Sequence, residues 1–472
     1  MRIVVSAILL LLAAPVQAEP EALATALAKA GPHTRIGLVV VDESGREIVA
    51  IRPDERFVPA SNTKIFTTAA AFASLDTTDR DTAGAAVRLE GRDVVLVGHG
   101  DARLSSAADC RTNCLRELAR AVAAQRRVVG DVIGDDSAFP DERWPAGMSW
   151  NNMVGRYGTG ISALSVDDNE IKYEVRAAAP GAQPTITGDS YYRIDNRAMT
   201  VAGAGKPALN VTRMPGSDVL RVTGTIPADA DPQTLTVGID DPAHRAASRF
   251  AALLRAEGVR VTGKIAVRHR PLAPSDDPAV RGTAPPPSPP AGPTLARLSP
   301  PPLVEDLRVT NKTSQNLHAE LLLRRVGAVA GTGSVADGQA AVRAMLDRVG
   351  VDRSSYDFAD GSGMSNYDRV TPRTTVRLLR WTQQQPWGAA FRETLPVAGV
   401  DGTLARRFIG TPLAGKLFAK TGSLNATNAL SGFLIAASGR TLAFSAFAND
   451  VPGDASATGT LDAALLAVAA AN

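Results

Sequence analysis

Three short strings carry the groups of a nucleophilic hydrolysis that needs no histidine: Ser61-Asn62-Thr63-Lys64, Ser314-Gln315-Asn316 and Lys420-Thr421-Gly422-Ser423. A serine hydroxyl attacks a carbonyl only after it loses its proton. An amine removes that proton near neutrality only if desolvation or a neighbouring cation lowers its pKa. Residues three apart share a helix face, so Lys64 reaches Ser61 if the two open a helix. Lys420 is the expected neighbouring cation. Ser314 is suited to carry a proton between a leaving amine and Lys64, and the Asn316 amide to hold a substrate carbonyl. The histidines, His33, His99, His244, His269 and His318, form no catalytic pattern; His318, on the helix after Asn316, reads as structural. Each string alone is weak, since serine is a common helix cap and such short patterns recur by chance. Their order and local context give them weight.

The elements around the strings suit their chemistry. Pro59-Ala60 closes an extended stretch and Lys64 to Phe72 has helical periodicity, which places Ser61 in the first turn of a helix. The second string lies where a loop enters a helix. The third precedes the apolar run to Ile435 and reads as an edge strand, with Gly422 permitting close backbone approach. A peptide can add to that edge as an extra strand, its C-terminal carboxylate near Lys420 and Thr421. The backbone N–H groups of Ser61 and Ser423 then form an oxyanion hole, at roughly 3 kcal/mol per donor. Strands over 34–41 and 47–51 and from Phe418 and Thr441, with helices from Ser61, Gln315, Val335 and Pro372, predict an α/β (α+β) domain. Its helices should layer on an antiparallel sheet, and 455–470 should be a further helix packed on it.

The 253 positions from Ser61 to Ser314 exceed what such a domain needs, so a large region is inserted. The expected division is a leader over 1–18, a first catalytic part over 19–82, an accessory region of two subdomains over 83–284, and a second catalytic part over 285–472. Pro271 to Pro302 reads as a semi-rigid extended linker. Inside the insert, a helical stretch leading into 127–133 and another leading into 260–266 look like two copies of one helix–strand unit. Cys110 and Cys114 can form a small-loop disulfide if they sit at a helix entrance; no second cysteine pair or nearby histidine completes a zinc set.

Arg2 followed by the apolar run 3–14 and then Pro15-Val16-Gln17-Ala18 predicts a cleaved secretory signal, hence export to the periplasm or cell-wall space. That run is too short to span a bilayer, where roughly 20 apolar residues are needed, so no stable membrane anchor is expected. The net charge of +3, without a basic stripe interleaved with aromatics, argues against nucleic acid as a partner. No cofactor and no metal are expected, and no feature of the sequence fixes an oligomeric state.

Serine-x-x-lysine, a serine–asparagine string and Lys-Thr-Gly in this order are the marks of penicillin-binding proteins and class A β-lactamases. Phe57 to Lys64, Thr310-Asn311-Lys312 before Ser314, Asp360 to Ser365, and Gly399 to Leu404 resemble the S13 family of D-alanyl-D-alanine carboxypeptidase/endopeptidases, the penicillin-binding protein 4 type. The resemblance covers nearly the whole chain beyond the leader. It implies a penicillin-binding-protein/β-lactamase-like catalytic domain interrupted by two accessory domains. It also implies catalysis by Ser61, Lys64 and Ser314, acylation of Ser61 by peptidoglycan peptides and by β-lactams, and no cofactor. Substrate contacts would come from Asn316, Lys420, Thr421 and Ser423, and from Asn152, Tyr157 and Asn366. Asn152 stands where the family often has Asp, and Asn366 where it often has Arg; two charges are gone from a region that flanks diaminopimelate in the family. One alternative is a serine β-lactamase, but no glutamate occurs between Glu320 and Glu393 to activate a deacylating water. A non-catalytic peptidoglycan-binding protein is another, and the three intact strings argue against it.

Overall fold

The computed structural model describes residues 20–79, 81–284 and 292–472; the expected leader lies outside the described residues. The strand Arg35–Val41 reads as a continuous apolar run because both of its faces are covered. Val39 and Val41 join one core with Ile65, Phe66, Phe433 and Phe447, whereas Leu38 and Val40 join a second with Leu430, Leu434, Leu461 and Leu465. The two-residue period of a strand deals its side chains alternately to helices on opposite sides. The antiparallel sheet runs in the order Leu417–Leu424, Thr427–Ile435, Thr441–Asn449, Arg35–Val41, Glu47–Ile51. Helices therefore lie on both faces rather than one, and the C-terminal helix Thr458–Ala471 packs on the second through Leu461, Leu465 and Val468.

The helix Thr63–Ser74 is buried on every side from Thr63 to Phe72, so it runs through the middle of the domain. Leu322, Leu323 and Val326 of Asn316–Ala328 pack in the same core. This packing fixes the first string against the second. Preceding Asn316–Ala328 is a helix not read from the sequence, Leu303–Lys312, which buries Leu303, Leu307 and Thr310 at positions i, i+4 and i+7.

The inserted region has two cores. One sheet orders Ile265–Arg270, Val132–Pro140, Asp93–Val97, Ala86–Glu90 and Ala296–Arg297, and the helices Leu115–Gln125 and Pro242–Ala256 cover it. The two helix–strand units noted in the sequence lie side by side, with Arg260 paired to Val128 and Ile265 to Val132 in parallel. A second core gathers Tyr173, Tyr192, Leu220, Val237 and Ile239 between a three-stranded and a four-stranded sheet. The proline-rich stretch is not simply an extended linker: it carries the short helix Pro278–Arg281, and its strand Ala296–Arg297 returns to the inserted sheet. Cys110 and Cys114 are disulfide-bonded, with Cys114 extended at the N-cap of Leu115–Gln125.

The insert is fastened to the catalytic body by buried charge. Arg325 grips Asp81, in the segment that leads into the insert, with two bonds of 2.8 and 2.7 Å, and Arg324 donates to the Glu142 carbonyl of the insert at 2.7 Å. His318 joins Asp306 on one side to Asp168 of the insert on the other, at 2.5 and 2.9 Å. Burial alone would lower the pKa of His318, but the two carboxylates push it up to about 10. His318 is thus a structural cation, as the sequence suggested.

Candidate active site

Ser61 sits in a single 3-10 turn, Ala60–Asn62, that feeds Thr63–Ser74 without a break, rather than in the first turn of the α-helix itself. The shared-face argument survives this shift: Lys64 Nζ lies 3.0 Å from Ser61 Oγ. Two non-glycine residues here hold left-handed backbone, Ala60 with φ 48° and Ser314 with φ 61°. Each such position costs roughly 1–3 kcal/mol and persists only where its surroundings impose it. Ser314 is set by the tight turn between Leu303–Lys312 and Asn316–Ala328. Ala60 is set partly by Gly363, since a Cβ there would come within 1.9 Å of the Ala60 oxygen and 3.0 Å of the Ser61 nitrogen.

The edge strand Leu417–Leu424 closes the site. Asn62 Nδ2 donates to the Lys420 carbonyl at 2.9 Å, tying the nucleophile turn to this strand. A Cβ on Gly422 would meet the Pro59 oxygen at 2.7 Å, so only glycine admits the two backbones this closely. The Ala419 N–H leaves the sheet for the Pro396 carbonyl, and the period of two aims the Ser423 N–H to the same free edge. The Thr421 hydroxyl pairs with Thr403 at 2.7 Å.

Lys64 is fully buried and has three partners: Ser61 Oγ, Asn316 Oδ1 at 2.6 Å and the Ser362 carbonyl at 2.7 Å. The Asn316 amide is oriented by its other end, where Nδ2 donates to the Tyr157 carbonyl at 2.9 Å. Its oxygen therefore must face Lys64. Two of the three partners can only accept. A neutral amine would give them its two protons and turn its lone pair to the Ser61 hydroxyl, the arrangement of a general base.

Burial lowers the Lys64 pKa to about 7, while Asp360, Glu320 and Asp368 oppose the drop. Desolvation, rather than the charge of Lys420 that the sequence pointed to, is the largest cause of this drop, and the repulsion between the two ammonium groups is mutual. Lys420 is itself pushed well below the ordinary lysine range, first by burial and then by the charge of Lys64. Lys420 Nζ donates to Ser314 Oγ at 2.9 Å and to the Thr421 carbonyl at 2.8 Å. In this structure the Ser314 hydroxyl thus answers to Lys420 rather than to Lys64. The Asn316 amide is likewise spent on positioning Lys64, not left free for a substrate carbonyl.

Behind Lys64 lies a buried acid cluster that the sequence reading did not single out. Asp360 accepts from the Gly363 and Ser365 N–H groups at 2.7 and 2.8 Å; Glu320 accepts from the Gly361 and Ser362 N–H groups, both at 3.0 Å. Asp368 receives the Thr63 hydroxyl at 2.9 Å. Burial, then the charge of Asp360, pushes Asp368 well above the usual carboxylate range and raises Glu320. Glu320 also pairs with buried Arg324 at 3.0 Å, an i, i+4 spacing visible in the sequence.

The remaining predicted residues form the rim where the insert meets the catalytic body. Tyr157 engages through its carbonyl; its ring is 59% exposed, with the Arg156 guanidinium above it. Asn366 donates from Nδ2 and from its backbone to the Gly147 carbonyl, at 3.2 and 3.0 Å. Asn152 lies in the 3-10 turn Trp150–Asn152 of the same loop as Tyr157, and its side chain makes no hydrogen bond among the described residues. Among those residues no acidic, histidine or cysteine group is arranged to hold a metal, and no helix is long and apolar enough to cross a membrane.

Residues 20–471 match the model of the D-Ala-D-Ala carboxypeptidase 3 (S13) family. A D-alanyl-D-alanine carboxypeptidase of Actinomadura sp. (strain R39) is 36% identical over 448 residues, covering 89% of this chain and 78% of the relative. The crystal structure of penicillin binding protein 4 (dacB) from Haemophilus influenzae superposes with a TM-score of 0.78 at 23% identity, covering 93% of this chain and 97% of that one. The same protein complexed with a β-lactam gives a TM-score of 0.71, again at 23% identity, over 94% and 98% of the two chains. These likenesses establish the fold independently of the site.

Proposed function

The chain belongs to the S13 family of D-Ala-D-Ala carboxypeptidases, and from that premise we propose that it is a serine enzyme working through a Ser61 acyl-enzyme. The observation that carries this reading is the Lys64 environment: two fixed acceptors and a pKa near neutrality leave its lone pair for Ser61 Oγ. Ser61 attacks the carbonyl of the penultimate D-alanine while Lys64 takes the hydroxyl proton. The developing oxyanion lies between the N–H groups of Ser61 and Ser423. The terminal D-alanine leaves as its nitrogen takes up the proton that Lys64 received from Ser61, passed on through the Ser314 hydroxyl, which Lys420 holds, so that Lys64 is neutral again. Water then cleaves the ester, with Lys64 again as base.

The substrate is a peptidoglycan stem peptide lying along the edge strand, its carboxylate toward Lys420, Thr421 and Ser423. The same acyl-enzyme serves a D,D-endopeptidase reaction on D-alanyl cross-links, and β-lactams acylate Ser61 as substrate mimics. Asn152, Tyr157 and Asn366 line the substrate entrance. Residues 1–18 direct export to the periplasm or cell-wall space; 19–82 and 285–472, apart from the strand Ala296–Arg297 that returns to the inserted sheet, make the catalytic domain, and 83–284 the accessory region.

The test is to incubate wild type and Ser61→Ala with penicillin and with D-Ala-D-Ala peptides, following intact mass and free D-alanine. An adduct and D-alanine release, both abolished by the substitution, are expected. Absence of both in the wild type overturns the reading, and an adduct that clears rapidly would favour a β-lactamase.

A further inference from the structure

The accessory region carries a cleft of about 790 Å³, outside the catalytic centre, with a definite chemical bias. Four arginines, Arg193, Arg197, Arg213 and Arg221, line it against one carboxylate, Asp195. Asp195 bridges Arg197 and Arg221 at 2.7 and 2.8 Å, which leaves the cleft cationic. Its floor is the outward face of a sheet whose other face is closed by Leu220 and Val222, so Arg193 and Arg221 are presented to solvent. Trp150, 61% exposed, stands at the rim.

The cleft also reaches toward the catalytic centre. Arg213 is buried, ion-paired with Asp240, and donates to the Met153 carbonyl at 3.4 Å, while its Nε has no hydrogen-bond partner among the described residues. Met153 belongs to the loop that runs from Trp150 to Tyr157, whose carbonyl orients Asn316. Seven residues span at most about 25 Å, and an extended pentapeptide about 17 Å, so one polymer can occupy both places.

We propose that this cleft is a second binding site for the wall polymer, holding a carboxylate-bearing stem peptide next to the one being cleaved, with Trp150 against a sugar ring. Guanidinium groups fork onto carboxylates, and an exposed indole offers a flat apolar face to the carbon–hydrogen face of a saccharide. The volume suits a ligand of this size, since small-molecule sites span roughly 300–1,000 Å³. This inference rests on the peptidoglycan reading above and extends it from one stem peptide to a strand.

The test compares wild type with Arg193→Glu/Arg221→Glu and with Trp150→Ala, all at solvent-facing positions away from Ser61. On a short soluble D-Ala-D-Ala peptide the variants should release D-alanine within about twofold of wild type, whereas on insoluble sacculi release should fall at least about tenfold. In a Ser61→Ala background, co-sedimentation with sacculi should weaken by a similar factor, and a soluble disaccharide-peptide should compete. That binding arm separates the two ideas, because loss of short-peptide turnover in the wild type would sink the catalytic reading alone. Unchanged sacculus binding and turnover in both variants overturns the second site. So does competition by polyphosphate but not by the disaccharide-peptide, which would mark a general phosphate site.

Discussion

The acid cluster behind Lys64 makes a prediction that is unusual in being non-additive. Lys64 should be neutral in about half the molecules at its pKa of about 7. An ordinary lysine at 10.5 would be neutral in only about 0.03% of molecules at pH 7, a difference worth about 5 kcal/mol. Acylation should therefore rise with pH to a limb near 7. Asp360 is the largest anionic influence holding that limb up. Its removal alone is buffered, however, because burial and the charge of Asp360 push Asp368 well above the usual carboxylate range, so that without Asp360 this carboxyl ionises more readily. In Asp360→Asn, Asp368 is released to ionise and replaces the lost anion. In Asp368→Asn the amide replaces a carboxyl whose ionisation burial and Asp360 already disfavour. Each single variant should move the limb by less than about 0.3 unit, and the double variant should lower it by about one unit, the low end for loss of a nearby opposite charge. At pH 5.5 the double variant would then retain about 24% of its plateau rate against about 3% for wild type. The assay is the rate of β-lactam adduct formation by intact mass from pH 4.5 to 9. Its readout is the position of the limb, which a merely damaged loop would not displace. Singles whose shifts sum to that of the double, or a limb that moves upward, would refute the reasoning. The limb belongs to Lys64 coupled with Lys420, so both kinds of shift are read as changes of one macroscopic value.

His318 keeps its proton because the carboxylates of Asp306 and Asp168 accept from it, so its stabilisation is complete below its unfolded pKa near 6.5 and is lost as pH rises through about 10. His318→Gln should lower stability by roughly 3–5 kcal/mol at pH 6, with the gap from wild type closing toward pH 10.5 in denaturant titrations; a gap independent of pH contradicts the assignment. Gly363→Ala forces its Cβ onto the Ala60–Ser61 peptide and should slow acylation about 100-fold, read in the same adduct assay; a loss under about threefold would show that the contact does not position Ser61. Tyr157→Ala keeps the carbonyl that orients Asn316, so acylation by a small β-lactam should stay within about threefold of wild type, and a larger loss would assign the ring a direct role.

What was legible in the sequence follows from what repeats along a chain. The continuous apolar run of Arg35–Val41 and the helical periodicity of Thr63–Ser74 are local patterns, and they locate the sheet and the central helix. The helix Leu303–Lys312 was missed although Leu303, Leu307 and Thr310 have helical spacing, because the residues before Ser314 read as the loop that enters the next helix. At the site, residue types were enough to nominate Ser61, Lys64, Ser314, Asn316 and Lys420 as neighbours. They could not tell what each neighbour does to the others. How far the pKa of Lys64 and of Lys420 falls depends first on burial, and burial is a property of the packed molecule. The partner of Ser314 depends on a left-handed turn that no string encodes, and the orientation of Asn316 depends on a backbone carbonyl, which has no residue identity at all.

That last dependence says why a large insert can matter to catalysis while contributing none of the reacting groups. Lys64 works as a base only if its lone pair faces Ser61, which requires the Asn316 oxygen to face Lys64. That in turn requires an acceptor on the other side of the amide, and the acceptor is the Tyr157 carbonyl from the inserted region. Asp168 holds His318 two residues further along the same helix, so the insert fixes the helix start at two points. Any ligand that shifts the 150–157 loop, including one seated beside Trp150, would therefore act on the proton acceptor of the reaction through a single hydrogen bond. The accessory region is thereby a structural part of the base, and its removal should leave Ser61 and Lys64 in place but without the orientation that makes them reactive.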